Sequence, residues 1–389
     1  MNARRLVHLT TTDMSLDWLL RPQLEAFADA GFEVIAMSAP GPHVAALEAS
    51  GIQHVAVPSL TRSMSPIHDL RAMCDLHREF RRLRPDVVHT HNPKPGVLGR
   101  LAARAAGVPV VVNTVHGLYA LPEDHLAKRA VVYGLERLAS TCSDAELLQS
   151  PEDLGVLRRL GVPHSKLSVL GNGIDLDRFD PSAVAVDSRD RIRASIGVDG
   201  TTVVIGIVAR LVWEKGYAAV FEAAAAMRGE NCRFVVVGPE EPEKDGAVSA
   251  ADRAEAERHG VVFLGPRDDM ADVYSAFDMY VLASHREGYP RSAMEASAMG
   301  LPVVASNIRG CRQVVADGVT GQLFEAGDAA GLVDALRPIV RDEVRRARLG
   351  AAARRRAIEH FDDRDVIKTT LRTYEWLLSA TPVPSMAAA

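Results

Sequence analysis

The sequence is short of the features that mark several large classes of protein. Its four cysteines are scattered without a CxxC pair, which argues against a disulfide framework and fits a reducing compartment. No apolar run reaches the roughly 18 residues that a membrane-spanning helix needs, so any membrane contact would be peripheral. No signal peptide is evident at the start, and we expect a cytoplasmic protein whose cysteines are core thiols.

Positive charge is not in excess either. Lys and Arg number 45 against 50 Asp and Glu, so the charge balance does not favour nucleic acid as a partner. Hydrophobic residues make up 47% of the sequence and charged residues 24%, which is the balance of a soluble globular protein. A chain of 389 residues is longer than one ordinary domain, so we predict two domains.

Short apolar runs rich in β-branched residues alternate with longer helical stretches, which predicts βαβ units, parallel sheets and an α/β fold. A stretch rich in Gly, Asp and Pro, residues 171–190, is the predicted linker between two doubly wound halves that face each other across a cleft. In the first half we predict strands at 6–10, 33–37, 55–58, 86–90, 110–114, near Thr141, and at 167–170. In the second half we predict strands at 203–208, 233–237, 261–264, 279–282, 302–305 and 322–324.

Residues 287–295 read EGYPRSAME and follow the predicted strand 279–282. We predict a helix over 292–299 with Pro290 at its first position, so that the turn at 288–291 presents backbone N–H groups to an anion such as phosphate. Glu287 precedes this helix and Glu295 lies on its second turn, on the order of 10 Å away along the axis. Each carboxylate can bind the hydroxyls of one polyol ring. The alternative is two solvent-facing glutamates.

A second segment, ARLVWEKG at residues 209–216, follows the predicted strand 203–208. Arg210 and Lys215 lie at the carboxyl end of that strand, near the point where strand order reverses in a doubly wound sheet and where ligands bind. The guanidinium offers a rigid fork and the ammonium a compact charge, so the pair can neutralise a diphosphate leaving group. Taken alone, these two residues would be solvated surface.

Histidines mark strand ends in the first half. His116 follows the predicted strand 110–114, and its ring can donate or accept a proton near neutral pH. His89 and His91 lie two residues apart at another strand end, where we expect one ring in the core and the other toward the cleft. We expect no metal there, because no carboxylate or cysteine cluster completes a site.

Residues 71–84 (RAMCDLHREFRRLR) combine apolar positions at helical spacing with several arginines. This segment predicts either a helix that covers the sheet with an exposed basic edge or a helix that lies on an anionic membrane. Both interpretations stay open from the pattern.

Together these segments resemble glycosyltransferase family 4. The resemblance rests on ARLVWEKG and HREGYPRSAMEASAMGLPVVASNIRG, with VNTVHG and LGNGID earlier, and covers nearly the whole chain. It implies the GT-B fold of two Rossmann-like domains, retention of the anomeric configuration, and no required cofactor or metal. Many members carry paired glycines after the first strand, whereas this chain has TTTDMS at residues 10–15.

The resemblance implies roles for individual residues. Arg210 and Lys215 would bind the donor diphosphate, Glu287 the transferred sugar and Glu295 the ribose, with His116 beside the reacting sugar. The catalytic set would be His116, Arg210, Lys215 and Glu287. Backbone groups of the donor site would come from Gly265, Arg267, Gly288, Tyr289, Pro290 and Arg291. Candidates for the acceptor side are Ser15 and Leu16, through their backbone N–H groups, together with His91 and Asn92.

The predicted function is transfer of a sugar from a nucleotide diphosphate sugar, with UDP ahead of GDP, to a polyprenyl-linked glycan or a small natural product. We predict an acceptor domain at 1–180 with a returning helix at 362–380, and a donor domain at 181–361. A lipid-linked acceptor would bring the protein to the inner membrane face. Two alternatives stay open, a sugar-nucleotide epimerase or phosphorylase of similar fold and a noncatalytic nucleotide-sugar-binding protein.

Overall fold

The computed structural model describes residues 3–61, 63, 65–91, 93–120 and 124–380. The chain separates into two compact units. Unit 1 comprises Met1–Gly171 and Asp365–Ala389, and unit 2 comprises Asn172–Arg364. Among the described residues, no helix is both long enough and apolar enough to cross a bilayer.

Unit 1 contains a parallel sheet. Its strands are β1 (Arg5–Thr12), β2 (Glu33–Ala39), β3 (Gln53–Ala56), β4 (Val87–His91), β5 (Val110–Val115), β6 (Ala145–Leu148) and β7 (Leu167–Val169). In the described part of the unit they pair in the order β3-β2-β1-β4-β5-β6-β7. Strand order reverses between β1 and β4, so the loops that leave these two strands lie at the switch point where ligands bind in such sheets.

Helical segments of unit 1 cover both faces of this sheet. They are Asp13–Ser15, Leu16–Leu20 (a π-helical turn), Arg21–Asp29, Val44–Ala49, Pro66–Leu83, Pro93–Ala105, Leu126–Ser140, Pro151–Arg159, His164–Lys166 (3₁₀) and, from the end of the chain, the helix Asp363–Ala380, whose first two residues belong to unit 2. Because both faces are covered, every residue of β4 and β5 is buried, and the strands read as continuous apolar runs. Tyr374 and Leu377 of the last helix pack with Phe27 on one face, whereas Leu76 and Phe80 pack on the other.

Unit 2 repeats the same plan. Its strands are β8 (Val203–Val208), β9 (Cys232–Val237), β10 (Val262–Phe263), β11 (Met279–Leu282), β12 (Val303–Ser306) and β13 (Gly321–Phe324), which pair in parallel in the order β10-β9-β8-β11-β12-β13. Its helical segments are Ser188–Ser195, Trp213–Lys215 (3₁₀), Tyr217–Ala226, Ala250–Arg258, Met270–Ser275, Arg291–Ala298, Arg309–Val314, Ala329–Arg341 and Glu343–His360. The switch point of this sheet lies between β8 and β11.

Two sequence-based expectations about the fold are wrong. The strand predicted near Thr141 begins four residues later at Ala145, because Thr141 follows directly on the helix Leu126–Ser140 and a turn intervenes. The cysteines are not all core thiols, because Cys311 is buried whereas Cys74 is exposed. The predicted linker, by contrast, begins where the two units divide, after Gly171, and its Ile174 and Phe179 are buried in the core of unit 2.

Candidate functional site

Two loops of unit 2 touch at the switch point, one after β8 and one after β11. Gly216 in the first loop has a φ of 77°, and a Cβ at this position would lie 2.0 Å from the carbonyl oxygen of Ala283. The backbone N–H of His285 also donates to the carbonyl of Glu214 at 2.9 Å. Glycine at 216 therefore allows a backbone approach that no other residue would tolerate.

This approach brings Lys215 and Glu287 together, although 72 positions separate them in the sequence. The Lys215 ammonium donates to Oε1 of Glu287 at 2.7 Å, and the Ser284 hydroxyl donates to the same oxygen at 2.7 Å. Both partners of the ion pair are mostly buried, with 18% and 13% of their side chains exposed. Within the described residues, the hydrogen bonds to this carboxylate both go to Oε1, which leaves the lone pairs of Oε2 for a further donor.

Arg210 has a different carboxylate partner. Its guanidinium donates to Glu241 at 2.5 Å, and Lys244 contacts the same oxygen of Glu241 at 2.5 Å. Burial alone would raise the pKa of Glu241, but the hydrogen bond from Lys244 and the charge of Arg210 outweigh it and lower that pKa. Glu241 follows β9, so three neighbouring strands contribute charged groups to this edge of the sheet.

The backbone at 288–290 is held from several directions. The side-chain amide of Asn172 donates to the carbonyl of Tyr289 at 3.3 Å, and the Tyr289 ring lies edge-on to Phe361. A Cβ on Gly310 would lie 2.6 Å from the carbonyl oxygen of Glu287. The helix that follows begins at Arg291, with Pro290 as its N-cap residue rather than its first helical residue. Asn172 thus supports the predicted sugar and phosphate loop.

Glu295 lies on the second turn of the helix Arg291–Ala298, as predicted, and accepts a hydrogen bond from the Tyr274 hydroxyl at 3.0 Å. Burial raises the pKa of this carboxyl, and the charge of Arg291 and the hydrogen bond from Tyr274 offset only part of the shift. Its environment is therefore less polar than that of a solvent-facing glutamate.

Gly265 and Arg267 lie after β10 in the loop predicted to frame the base. Gly265 has a φ of 67°, and its carbonyl accepts a hydrogen bond from the N–H of Gly238 at 2.9 Å. The Arg267 guanidinium binds the carboxylate of Asp269 through two nitrogens. Because that side chain is engaged within its own loop, main-chain groups are the more available contacts here.

In unit 1, the backbone N–H of Leu16 is not free, although the sequence predicted it as a donor after β1. The N–H of Leu16 bonds to the carbonyl of Asp13, and the Leu16 side chain is fully buried, so neither is available to a ligand. The Ser15 hydroxyl lies 3.2 Å from that of Thr12. The helix begins at Asp13, three residues earlier than Leu16, and Leu16 lies too far along it to keep a free N–H. Asn92 lies outside the described residues.

The histidine prediction for β4 is also wrong. His89 and His91 are both buried, with ring centroids 4.3 Å apart, because residues two apart on a strand share one face. With His8 of β1 they form a cluster whose ring nitrogens could hold a metal ion. His116 lies beside the cluster, with its Nε2 atom 3.1 Å from Nδ1 of His91. Burial lowers the pKa of His116 to about 4, although a hydrogen bond with Gln149 opposes the shift, so this ring is neutral at pH 7 rather than poised near neutrality.

A cavity of about 240 Å³ lies beside the end of β5 in unit 1. Its lining is largely apolar and includes Leu98, Leu118, Val132 and Leu135, with His116 at its wall. Arg100 also lines it. That guanidinium is fully buried and donates to Glu146 at 2.6 Å and to Glu136 at 2.8 Å.

Comparison with known proteins identifies the family. A family model described as "Glycosyl transferases group 1" matches residues 188–356, and one described as "Glycosyltransferase Family 4" matches residues 23–178. Over 294 residues the chain is 33% identical to the UDP-Gal:alpha-D-GlcNAc-diphosphoundecaprenol alpha-1,3-galactosyltransferase of Escherichia coli, with 74% of this chain and 75% of that protein covered. The chain belongs to glycosyltransferase family 4.

Two further similarities extend this result. The glycosyltransferase is 34% identical to the D-inositol 3-phosphate glycosyltransferase of Xylanimonas cellulosilytica over 285 residues, which are 69% of this chain and 67% of that one. Among solved structures, Anabaena Alr3699/HepE in complex with UDP matches with a TM-score of 0.80 at 20% identity, over 96% of this chain and 100% of that chain. With the two parallel sheets, this match confirms the predicted α/β fold of GT-B type with Rossmann-like halves.

Several residues that contact the predicted site escaped the sequence analysis. Ser284, Glu241 and Tyr274 contact predicted site residues, and Gly310 packs against their backbone. Ser284 stands three residues before Glu287, and Glu241 follows a strand, so position relative to strand ends was the available signal. Tyr274 carried no such signal, because its contact depends on how two helices pack.

Proposed function

We propose that this glycosyltransferase moves a sugar, with retention of configuration, from a UDP-sugar to a saccharide carried on a polyprenyl diphosphate. The observation that carries the donor half of this proposal is the contact between Lys215 and Glu287 at the switch point of unit 2. It joins a cation suited to a diphosphate with a carboxylate suited to sugar hydroxyls, at the sheet edge where nucleotides bind in such folds.

Each donor role follows from the local chemistry. Lys215 and Arg210 would bind the two phosphates, and their charge would stabilise the leaving diphosphate as the anomeric carbon becomes cationic. Glu287, held through Oε1, would accept hydrogen bonds from sugar hydroxyls with Oε2. Glu295, in its less polar surroundings, would bind the ribose hydroxyls. Because two cations supply the charge, we propose that the transfer requires no metal.

The acceptor hydroxyl would attack from the face that the diphosphate leaves, and a phosphate oxygen would take its proton. This route needs no separate general base beside Glu287. The competing account is a covalent glycosyl intermediate on Glu287. The two accounts differ in whether a bond forms between the enzyme and the anomeric carbon.

Two observations favour a lipid-linked acceptor. The Escherichia coli relative is named for UDP-Gal as donor and for a diphosphoundecaprenol acceptor. Unit 1 also carries a largely apolar cavity, and exposed apolar side chains, including Leu126 and Val131, lie on the helix Leu126–Ser140 that lines it. A small phosphorylated polyol is the second candidate, because the Xylanimonas relative is named for D-inositol 3-phosphate at similar identity.

The donor can be identified by thermal shift with UDP-, GDP- and dTDP-sugars, followed by turnover. A ligand at about 100 times its Kd stabilises the folded state by about 2.7 kcal/mol, which is a shift of several degrees for a protein of this size. We expect that shift with a UDP-sugar. A shift with GDP-sugars alone would overturn the donor assignment, and tight binding without transfer or hydrolysis would favour a noncatalytic binding protein.

Substitutions then test the cations. Arg210→Ala and Lys215→Ala should each lower turnover on the order of 100-fold, as loss of a preorganised charge stabiliser does. Arg341→Ala is the matched control, because this exposed arginine of unit 2 pairs with Glu230 away from the switch point. Turnover near that of the control in both test variants would refute the assignment.

The acceptor is tested by direct competition. A polyprenyl diphosphate saccharide and D-inositol 3-phosphate are offered separately with the productive donor, and the anomeric configuration of the product is read by NMR. Transfer to the lipid-linked saccharide with retention supports the proposal. Transfer to the inositol phosphate alone overturns the acceptor class, and an inverted product overturns the mechanism.

A further inference from the structure

One face of the unit 1 sheet carries an unbroken series of hydrogen-bonded side chains, here called the imidazole chain. Strand pairing creates it, because β1 pairs His8 with His89 of β4, and β4 pairs His91 with Thr114 of β5. The series runs in order through Thr114, His89, Tyr374, His8, His91 and His116.

The first half of the imidazole chain depends on Tyr374, which lies 366 positions after His8 in the sequence. The Thr114 hydroxyl lies 2.7 Å from Nε2 of His89, and Nδ1 of His89 bonds to the Tyr374 hydroxyl. That hydroxyl also lies 3.3 Å from Nε2 of His8. Burial raises the pKa of Tyr374 well above its usual value, so the hydroxyl keeps its proton and can donate once and accept once.

The second half carries the series to the cavity wall. Nδ1 of His8 lies 2.9 Å from Nε2 of His91, and Nδ1 of His91 lies 3.1 Å from Nε2 of His116. The remaining nitrogen of His116, Nδ1, is left for the hydrogen bond with Gln149. Both ends of the series, Thr114 and His116, line the cavity of about 240 Å³.

Proton positions along the imidazole chain are therefore linked. Burial lowers the pKa of all four rings, to about 3 for His8 and about 4 for His116, so each is neutral at pH 7 and has one donor and one acceptor nitrogen. Suppose that the Gln149 oxygen accepts from Nδ1 of His116. Nε2 of His116 must then accept from Nδ1 of His91, Nε2 of His91 must accept from Nδ1 of His8, and by the same rule every ring carries its proton on Nδ1. The Tyr374 hydroxyl then donates to His8 and accepts from His89.

A metal ion is the competing occupant, because ring nitrogens of His8, His89 and His91 lie within 4.8 Å of one another. Every nitrogen of these three rings already has a hydrogen-bond partner. A ligated metal would have to replace several of those bonds at Zn–N distances of about 2.0–2.1 Å. The geometry therefore favours hydrogen bonds over ligation.

We propose that the imidazole chain orients His116 for the transfer reaction and fixes which of its nitrogens carries the proton, with Tyr374 as the remote positioning residue. The proposal rests on the function proposed above, in which His116 lies beside the transferred sugar. Tyr374 does not touch the sugar in this proposal. It acts by fixing the ring of His8 and, through His91, that of His116.

The proton positions can be measured without any substrate. Long-range ¹H–¹⁵N spectra of protein labelled with ¹⁵N-histidine, assigned by single substitutions, distinguish Nδ1–H from Nε2–H rings. In the wild type we expect Nδ1–H for His8, His89, His91 and His116. Nε2–H or mixed forms at His91 and His116 would overturn the proposal, even if the protein proved inactive toward every donor tested.

Tyr374→Phe removes the bridging hydroxyl and keeps the ring. Because the Gln149 amide has both a donor and an acceptor, loss of the Tyr374 donor to His8 lets the direction of the series reverse. His116 should then become a mixture of proton positions, and kcat should fall on the order of tenfold, the effect of one hydrogen bond, with the donor KM unchanged. Thr370→Val is the matched control, because it removes another buried hydroxyl of the same helix, one whose bond within the described residues goes to the carbonyl of Val366. An unchanged His116 signal in Tyr374→Phe, or an equal loss of kcat in Thr370→Val, would overturn the positioning role.

The metal alternative is tested on the same samples. We expect no stoichiometric transition metal by elemental analysis after dialysis against a chelator, and no change in the histidine signals on addition of Zn²⁺. One tightly held metal per chain, or a shift of the His8, His89 and His91 signals with one equivalent of Zn²⁺, would overturn the imidazole chain in favour of a metal centre.

Discussion

The close approach between the two loops of the proposed donor site can be tested at Gly216. A Cβ there would lie 2.0 Å from the carbonyl oxygen of Ala283 and 2.5 Å from its carbon, whereas ordinary contacts begin near 3.4 Å. Because the obstruction is backbone, no side-chain rotation relieves it, and Gly216→Ala must separate the loops by about 1.4 Å to restore normal van der Waals contact. Lys215 precedes this residue directly and would move with it.

Both activity and stability should respond. A displacement of about 1 Å in a site can lower the rate on the order of 100-fold, and here it would break the 2.7 Å contact between Lys215 and Glu287. The left-handed backbone conformation adds about 1–2 kcal/mol for a residue with a Cβ, and the forced contact adds about 1–3 kcal/mol. Together they should lower the unfolding midpoint on the order of 5–10 °C.

Gly229→Ala separates these two effects. Gly229 also has a left-handed backbone, with a φ of 93°, but a Cβ there would meet nothing within 4 Å. This control carries the conformational cost without the collision, so it should lose a few degrees of thermal stability and keep full turnover. Donor turnover and the donor-induced thermal shift are the assays. If Gly216→Ala matched Gly229→Ala in both, the close approach would not set the geometry of the donor site.

Three further outcomes follow from burial and helix propensity. Burial lowers the pKa of His8 to about 3 and that of His116 to about 4, so below pH 6.5 the unfolded chain binds protons that the folded chain does not. The thermal unfolding midpoint should therefore fall as the pH drops from about 6.5 toward 4. A midpoint that does not change with pH would contradict this. The pKa of Glu295 is raised instead, so its effect on stability has the opposite pH dependence. The wild type should lose stability relative to Glu295→Gln as the pH rises from 4 to 7. A constant difference between the two unfolding midpoints would contradict the burial of this carboxyl. Gly134 lies in the helix Leu126–Ser140, and a Cβ at this position would meet nothing within 4 Å. Gly134→Ala should therefore stabilise the protein by up to about 1 kcal/mol in chemical unfolding. A destabilised variant would mean that this helix is not formed as described.

The sequence predicted the sheets well because parallel strands covered on both faces leave continuous apolar runs. The strand 203–208 and the strand 279–282 coincide with β8 and β11, and these strands carry the loops of the proposed donor site. The positions of Arg210, Lys215 and Glu287 just after those strands could therefore be read from the chain. That Lys215, rather than Arg210, contacts Glu287 could not, because it depends on the approach at Gly216.

Contacts between distant segments account for most of what was missed. Asn172 reaches the carbonyl of Tyr289 across 117 positions, and no local pattern encodes such a contact. The error at His89 and His91 is different, because the two-residue period of a strand already requires both rings on one face. The error at Leu16 arose because the helix already starts at Asp13, so the Leu16 N–H bonds to the carbonyl of Asp13.

The contacts of Glu287 also bear on which of two mechanisms its carboxylate serves. A nucleophile must bring an oxygen with available charge to the anomeric carbon, whereas a hydrogen-bond acceptor needs a fixed direction. Lys215 and Ser284 both hold Oε1, so the charge is compensated and the group cannot rotate freely, which fits an acceptor of sugar hydroxyls through Oε2. A 2-fluoro UDP-sugar slows breakdown of any covalent intermediate, and the intact protein mass should remain unchanged after incubation with it. A glycosyl adduct that mapped to Glu287 and was absent from Glu287→Gln would reverse the assignment.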